Sequence, residues 1–448
     1  CSGDKTASFD YIPLFCYGKD GKLLSENERK IIDKEWKKNK TGLVSYLLFE
    51  DNKIKIDEHD LPSYIKNNRG LLPSHSMGKS LVSYVTGYAI CEGYIDNINI
   101  KLDDWSTVKG TLYEGQKLID LLNMRAGDQK YVGERINPRI GSILKKNQSV
   151  NVNTIPLEIL LKKYFQNTKK SKPVYNYNAL ATNTIMNYTI FKVGDDYQKL
   201  LNKVFKEDAK IKNSVYFSKT LRRSVSDEEK GEYGRYSFYA DRYDYLRIAK
   251  SMMDHWNNDT CVGKYLKTIY EQRINKNKKS YDGDRHGQFS VSQYTKKYGG
   301  QFHFDIIGLS KRKILGMDGF GGQNIIIDFE KERIIVVNSR DRHYNWKKIV
   351  LKKLKKLSND KKTTSKLNSY LRVFIRLVNA YSSGKYTYVP WKSITLIVAG
   401  LIYFIYPIDL IPDFIPLSGL IDDIALIAWI YESIEEDIDK FLEWENNS

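Results

Sequence analysis

The chain has 448 residues, and because 41% are hydrophobic and 13% aromatic it can bury a sizeable core, which excludes wholesale disorder. This length suffices for one large catalytic domain and a smaller module. Much of the formal net charge of +18 lies between Trp346 and Lys392, where thirteen Lys or Arg stand against one acid. Such a block suits an anionic partner, either membrane headgroups or nucleic acid, although a solvated helical face explains it equally well.

The first segment, residues 1–40, is a polar lead-in that begins with Cys1. Its first residues, CSGDKTAS, resemble the mature start of a bacterial lipoprotein. We therefore expect Cys1 to be lipidated and the protein to lie outside the cytoplasm, on the periplasmic side; a fragment boundary is the alternative. Cys16, Cys91 and Cys261 form no C-x-x-C pair, so a metal knuckle is not indicated, and Cys91 is expected to be a small core residue.

The central segment, residues 41–345, mixes strand and helix patterns. Strand-forming runs on either side of a short polar turn predict two strands near each end, at 41–50, 52–58, 323–329 and 333–338. Helical spacing dominates between them, at 79–93, 116–124 and 243–256. A sheet that its first and last segments complete, with helices between, is an α+β domain: an α/β sandwich with an antiparallel sheet flanked by helices.

The remaining chain is predicted to be a basic helical linker over 346–390 and an apolar helical hairpin over 391–448. The run from Ile394 to Tyr406 is apolar apart from Thr395, but as a helix it reaches only about 20 Å, short of the roughly 30 Å core of a bilayer. Prolines then break the helix before a second apolar run at 420–431. We expect a membrane-associated C-terminal α-helical hairpin that is re-entrant, interfacial or packed as a soluble pair.

The run HSMGKS places Ser76 three residues before Lys79. Serine attacks a carbonyl only when a base removes its proton, and residues three apart share one helix face, so the two side chains can touch. A lysine shielded in the first turn, at the positive helix end, should have a lowered pKa and act as a base near neutral pH. By itself S-x-x-K is a weak signal, since a solvated surface lysine also satisfies it.

Four motifs follow one another between Ser74 and Gly127: SMGKS from Ser76, GYID from Gly93, KLDDW from Lys101 and LLNMRAG from Leu121. Their order and spacing resemble the serine β-lactamase and penicillin-binding-protein superfamily, most closely its esterase and 6-aminohexanoate-oligomer hydrolase branch, with Ala126 where the family has Ser. The resemblance implies a β-lactamase-like fold with a helical subdomain over residues 41–345. It also implies that Ser76 is the nucleophile and Lys79 its base.

A tyrosine in an F-x-Y-x-S/N run followed by a helix is the second element of this family. VYNYNA from Val174 matches it best with Tyr177 as that tyrosine, whose phenol would carry a proton between the nucleophile and the leaving group. Tyr175 is the alternative. Relatives have Ser or Asn at the position of Ala179, so one contact to the substrate or to Lys79 is missing here.

The third element is the run DGFGGQ from Asp318, which resembles the G-x-G-G-Q ending of the 6-aminohexanoate hydrolase branch. We expect it to line the oxyanion and substrate site, where a strand N–H would pair with that of Ser76; such donors are worth about 3–4 kcal/mol each. The candidate residues are Gly319, Phe320, Gly321, Gly322 and Gln323. No Lys or His precedes this run, which argues against penicillin targets and for ester or amide hydrolysis; a plain hairpin turn is the alternative.

The run from Tyr406 to Asp423 reads YPIDLIPDFIPLSGLIDD. It resembles the S-P-x-D-L-I-P-D-x-I-P signature of small bacterial membrane-associated proteins of unknown function, of the YkvA-like type, with Tyr in place of Ser. The resemblance covers about fifty residues and identifies no activity.

These patterns together predict a serine hydrolase that cleaves an ester or amide bond of a small or peptide-like substrate through a Ser76 acyl-enzyme and is attached to a membrane surface. We expect no cofactor and no metal, since the histidines show no ligand spacing. Nucleic acid is not expected as a partner, because the basic block lacks interleaved aromatic residues. The alternatives are a catalytically inactive receptor of the same fold and, second, a penicillin-binding DD-peptidase or β-lactamase.

Overall fold

The structure is a computed structural model. It describes residues 42–61, 70–132, 142–145, 148–151, 156–220, 233–280, 290–307, 309–339, 363–390, 392–398 and 429–447, with the single residues 25, 27, 30 and 427. The chain divides into two compact units: Cys1–Ile306 with Ser310–Tyr344, and Asn345–Ser448 with Ile307–Leu309. The predicted boundaries at residues 40, 345 and 390 stay predictions.

Within the described residues, eight strands of the first unit form one antiparallel sheet in the order β2-β1-β13-β12-β11-β10-β9-β8. They are β1 (Leu43–Glu50), β2 (Lys53–His59), β8 (Ile274–Asn275), β9 (Thr295–Gly299), β10 (Phe302–Ile306), β11 (Ile314–Gly319), β12 (Gln323–Asp328) and β13 (Arg333–Ser339). The first strand pairs with the last, as predicted. Asp51 and Asn52 both have positive φ, which the tight turn between β1 and β2 requires.

Two smaller sheets accompany this one in the described part of the chain, β3-β7-β6 and β4-β5. Their strands are β3 (Leu72–Pro73), β4 (Ser142–Lys145), β5 (Gln148–Asn151), β6 (Tyr216–Thr220) and β7 (Tyr233–Ala240). β3 leads directly into the predicted nucleophile turn, so its pairing with β7 determines where that turn lies.

The helices of the first unit include the three that the sequence predicts. They are α1 (Met77–Cys91), α2 (Leu118–Leu122), α3 (Leu157–Tyr164), α4 (Ala179–Val193), α5 (Tyr197–Asn202), α6 (Arg242–Asn257) and α7 (Cys261–Glu271). α1 is buried along almost its whole length, from Met77 to Ala89, between α4, α7, β7 and the end of β11. The α+β prediction is confirmed.

The prediction for Cys91 is wrong in one respect. Cys91, at the end of α1, forms a disulfide with Cys261, the first residue of α7, across 170 residues of sequence. The two cysteines lie far apart in the sequence and share no motif, so only the packing of α1 against α7 brings them together.

The second unit has its own small core. α8 (Thr363–Ser382) packs against α9 (Glu435–Asn446), with Phe374 and Phe441 buried and the rings of Tyr370 and Tyr431 stacked 3.8 Å apart. A further helical segment spans 392–398. None of the helices in the described ranges combines the length and apolar character that a membrane crossing needs. Cys1 and the signature from Tyr406 to Asp423 lie outside the described residues.

Replacing both Cys91 and Cys261 with Ala should lower the free energy of unfolding by about 2–5 kcal/mol, because the disulfide restricts a long loop of the unfolded chain. Urea unfolding of the oxidised protein and the double variant measures this difference. A reducing agent should lower the stability of the wild type and leave that of the double variant unchanged. Equal midpoints for the two proteins would show that the disulfide does not stabilise the fold.

Candidate active site

The turn that carries Ser76 is anchored on strand β7. Ser74 donates its backbone N–H to the carbonyl of Phe238 at 2.7 Å, and its hydroxyl accepts the N–H of Phe238 at 2.8 Å. His75 follows with a φ of +47°, a left-handed conformation that few residues with side chains adopt. The chain therefore turns sharply just before the predicted nucleophile and enters α1 immediately after it.

A glycine is needed at position 78 because α1 packs directly against the backbone of β7 there. A Cβ atom built at Gly78 would lie 1.8 Å from the carbonyl oxygen of Tyr236, far inside any real contact. The helix is also tied to the β9–β10 turn, because Ser80 donates its hydroxyl to the carbonyl of Gln301 at 2.6 Å. The glycine of the SMGKS motif thus brings the first turn of α1 into direct contact with β7.

Ser76 and Lys79 contact each other as the spacing predicts. The ammonium of Lys79 donates to the Ser76 hydroxyl over 3.0 Å, and the Lys79 side chain is buried, with 1% of the residue exposed. Two aromatic rings enclose the Lys79 nitrogen, with ring centroids 3.7 Å away for Tyr236 and 5.0 Å away for Tyr177. The site therefore consists of one hydroxyl, one amine and two phenols.

The pKa of Lys79 is raised from its usual 10.5, which contradicts the predicted lowering. Burial alone would lower this pKa, but charge interactions and hydrogen bonding with the phenols of Tyr177 and Tyr236 outweigh the burial. Lys79 is consequently an ammonium at neutral pH when the site is empty. Only the neutral amine, which forms when this proton leaves, can accept another proton.

Tyr177 lies where the motif predicts, next to the pair. Burial raises the pKa of its phenol, while the charge of Lys79 and the hydroxyl of Ser76 limit the rise. Asn178, directly after it, caps α4 by accepting the N–H of Ala181 at 2.9 Å. The alternative, Tyr175, is buried, and its ring centroid lies 5.3 Å from that of Tyr298. The tyrosine of this motif that contacts the Lys79 nitrogen is Tyr177.

The glycine-rich run forms a tight turn between β11 and β12. Gly321 and Gly322 have φ near +90°, and Gly322 donates to the carbonyl of Gly319 at 3.2 Å. A Cβ atom at Gly319 would lie 2.4 Å from the carbonyl oxygen of Ser74, so the end of β11 touches the nucleophile turn. Phe320 is 50% exposed. Its ring centroid lies 6.3 Å from that of His75, the residue before Ser76.

Gln323 has a different environment from the other residues of this run. Its side chain is buried and donates to the carbonyl of Ser339 on β13 at 2.8 Å. The amide of Gln323 thus bonds to the sheet. That Gln323 binds substrate stays a prediction.

The sequence analysis missed Tyr236 and a buried polar layer behind Tyr177. In this layer Asp318 accepts the Ser290 hydroxyl at 2.5 Å, and burial lowers the pKa of Lys276 to about 7 despite the charge of Asp318. His303, whose ring lies 6.5 Å from that of Tyr177, has a pKa far below its usual value, first through burial and then through Lys276 and Lys79. Tyr236, His303 and Lys276 come from separate segments of the chain and fit no motif, whereas Asp318 begins the DGFGGQ run but had no predicted role.

Part of the C-terminal region is similar to known proteins. Residues 393–429 match the family described as Protein of unknown function (DUF1232). Over 84 residues the chain is 27% identical to the uncharacterized membrane protein YkvA of Bacillus subtilis (strain 168), a match that covers 19% of this chain and 79% of that protein. The resemblance predicted from the C-terminal signature is confirmed.

The chain is also similar to solved structures. A putative β-lactamase from Bacteroides dorei is 12% identical, with 69% of this chain and 89% of that chain covered and a TM-score of 0.49. A putative 6-aminohexanoate-dimer hydrolase from Bacillus anthracis is 13% identical (75% and 81% covered, TM-score 0.45). The D-amino acid amidase from Ochrobactrum anthropi is 13% identical (70% and 93% covered, TM-score 0.47). Likeness at this level does not by itself assign an activity to the chain.

Proposed function

We propose that this protein is a serine hydrolase that cleaves an ester or amide bond through an acyl-enzyme on Ser76. The observation that carries the proposal is the 3.0 Å contact between the Lys79 nitrogen and the Ser76 hydroxyl inside a buried group of phenols. A surface lysine in a chance S-x-x-K run would be solvated, whereas Lys79 is buried. Burial places the amine against the Ser76 hydroxyl and away from bulk water, which is the arrangement that a base acting on serine needs.

The protonation of the site sets the order of events. Because the empty site holds an ammonium at Lys79, one proton must leave before Ser76 can be deprotonated. The neutral amine then accepts the Ser76 proton while the oxygen attacks the substrate carbonyl. As the tetrahedral intermediate collapses, the Tyr177 phenol gives a proton to the leaving group and regains one from Lys79. Water releases the acyl group by the same route in reverse.

The close approach of β11 to the nucleophile turn supports an oxyanion site there. A Cβ atom at Gly319 would lie 2.4 Å from the carbonyl oxygen of Ser74 and 3.4 Å from the Met77 side chain, so the end of β11 contacts the chain on both sides of Ser76. The N–H groups of Ser76 and Phe320 are the donors that we assign to the developing oxyanion. Rigid backbone donors of this kind contribute about 3–4 kcal/mol each to transition-state stabilisation.

The two alternative functions stay open for specific reasons. The resting ammonium of Lys79 and the substitution at Ala179 favour a receptor that binds without catalysis. A penicillin-binding function needs a cation near the glycine run, and buried Lys276, whose charge interacts with Asp318 at the start of that run, is a described candidate for it. Covalent labelling separates all three functions.

A fluorophosphonate probe should add one adduct to the wild-type protein and none to Ser76→Ala, as measured by intact-mass spectrometry. Hydrolysis of a panel of acyl esters and amides should fall by about 10³-fold or more in the same variant. Ser83→Ala is the matched control, because Ser83 is also a buried serine of α1 but bonds to Tyr265. A Ser76-dependent penicillin adduct would instead support the penicillin-binding alternative, and no adduct with either probe would support the receptor.

The rate of labelling should rise with pH between about pH 7 and pH 10, by about tenfold per unit, because the neutral amine is the minor form throughout this range. Tyr236→Phe removes a hydroxyl that raises the pKa of Lys79, so the rising limb should move to lower pH in that variant. Tyr239→Phe, on the same strand, is the control. A wild-type rate that is flat around neutral pH would mean that Lys79 is already deprotonated in the empty site.

We also propose that the second unit holds the enzyme at a membrane surface. Support comes from its similarity to a protein named as a membrane protein and from the exposed side chains of Tyr388 (86%) and Trp429 (56%), residue types that favour the membrane interface. The basic residues from Trp346 to Lys392 suit anionic headgroups. The Cys91–Cys261 disulfide favours an oxidising compartment, which agrees with a location outside the cytoplasm.

Protein with Cys1→Ser, which cannot be acylated at that residue, should float with anionic liposomes and less with zwitterionic ones. Trp429→Ser in that background should lower the floated fraction, since it removes an interfacial aromatic side chain. Phe191→Ser, a similarly exposed aromatic residue of the first unit, should leave the fraction unchanged. Protein that stays unbound to liposomes yet shifts DNA in a gel would show that the basic block binds nucleic acid.

A further inference from the structure

Asp128 is a buried acid that follows the LLNMRAG motif and touches neither Ser76 nor Lys79 in the contacts described. It is 1% exposed, and its backbone carbonyl accepts the N–H groups of Tyr131 and Val132 at 2.8 and 3.1 Å. Gly127 before it has a φ of +75° and lies against Ser171, where a Cβ would be 2.4 Å from the carbonyl oxygen. The chain at Asp128 is therefore held in one place.

The Asp128 carboxylate accepts three hydrogen bonds from side chains. The amide of Asn176 donates to Oδ1 at 2.8 Å, and the amide of Asn178 donates to Oδ2 at 3.1 Å. The hydroxyl of Tyr113 donates to Oδ2 at 2.9 Å. Burial raises the pKa of Asp128, and these three donors oppose the rise.

The two asparagines are the residues directly before and after Tyr177. Asn176 is held further by its own N–H, which donates to the carbonyl of Met124 at 2.7 Å, and by its amide, which also donates to Val132 at 2.9 Å. Asn178 is the N-cap of α4. One carboxylate thus holds the residues on both sides of Tyr177, and these residues determine the position of its Cα atom.

We propose that Asp128 is a positioning residue, which holds the Tyr177 phenol at the Ser76–Lys79 pair by binding the asparagine on each side of it. The inference rests on the proposed hydrolase function. It explains why an acid that does not touch the reacting groups lies between the leucine-rich helix and the tyrosine motif. A neutral amide cannot replace the carboxylate, since it has one acceptor oxygen and would turn an N–H₂ group toward a second donor.

The test compares the rates of fluorophosphonate labelling. Asp128→Asn should lower the rate by about 10- to 100-fold, because a phenol displaced by about 1 Å no longer lines up with the reacting atoms. In a Tyr177→Phe background the same substitution should cause no further loss. Tyr113→Phe, which removes one hydrogen bond to Asp128 but none to the asparagines, is the control and should change the rate less than about threefold.

Asn178→Ser serves if Asp128→Asn does not fold, because serine keeps the helix cap and loses the amide that binds Asp128. Amide hydrogen exchange across residues 174–181 gives a readout that does not depend on catalysis. Exchange should become faster there in either variant and stay unchanged in α7. Wild-type protein without a Ser76-dependent adduct would refute the proposed function. Amide hydrogen exchange across residues 174–181 would then still test whether Asp128 holds this segment in place. Unchanged exchange, or an equal loss of labelling in the Tyr177→Phe background, would refute the role of Asp128.

Discussion

The candidate site depends on two backbone contacts that leave no room for a Cβ atom. At Gly78 the first turn of α1 lies against the carbonyl of Tyr236, and at Gly319 the end of β11 lies against the carbonyl of Ser74. Any larger residue at either glycine would separate α1 from β7 or from the sheet. Because Ser76 lies between these two contacts, both its distance from the phenols and its approach to the glycine turn depend on them.

The charge of Lys79 follows from this packing. A buried lysine normally loses its proton, since the ammonium is poorly solvated in the interior. Here β7 brings Tyr236, and the loop before α4 brings Tyr177, so that oxygen atoms and ring faces replace the lost water. The phenols thereby stabilise the ammonium form, and the empty site holds a proton next to the Ser76 hydroxyl.

The organisation of the fold follows largely from local patterns. The hairpins β1–β2 and β12–β13 combine strand-forming runs with short polar turns, and α1 and α6 have helical spacing, so their bounds were predicted to within a few residues. Long-range contacts produce no comparable pattern in the sequence. The Cys91–Cys261 disulfide, the layer formed by Asp318, Lys276 and His303, and the hydrogen bonds of Asp128 join residues that are distant in sequence and belong to no repeating pattern.

The sequence by itself indicated the α+β class through its order of strands and helices, and the Ser76–Lys79 contact because the two residues share one helical turn. Tyr177 was predicted from the family resemblance, with Tyr175 as the alternative. The sequence also indicated the C-terminal module through one continuous signature. Only the tertiary structure decided which second phenol encloses the amine and the direction in which the Lys79 pKa moves. It likewise decided which acid binds the asparagines on either side of Tyr177 and which cysteines pair. The physical reason is that solvation, charge and hydrogen bonding in a buried site depend on atoms from several distant segments, and a pattern along one segment carries no information about them.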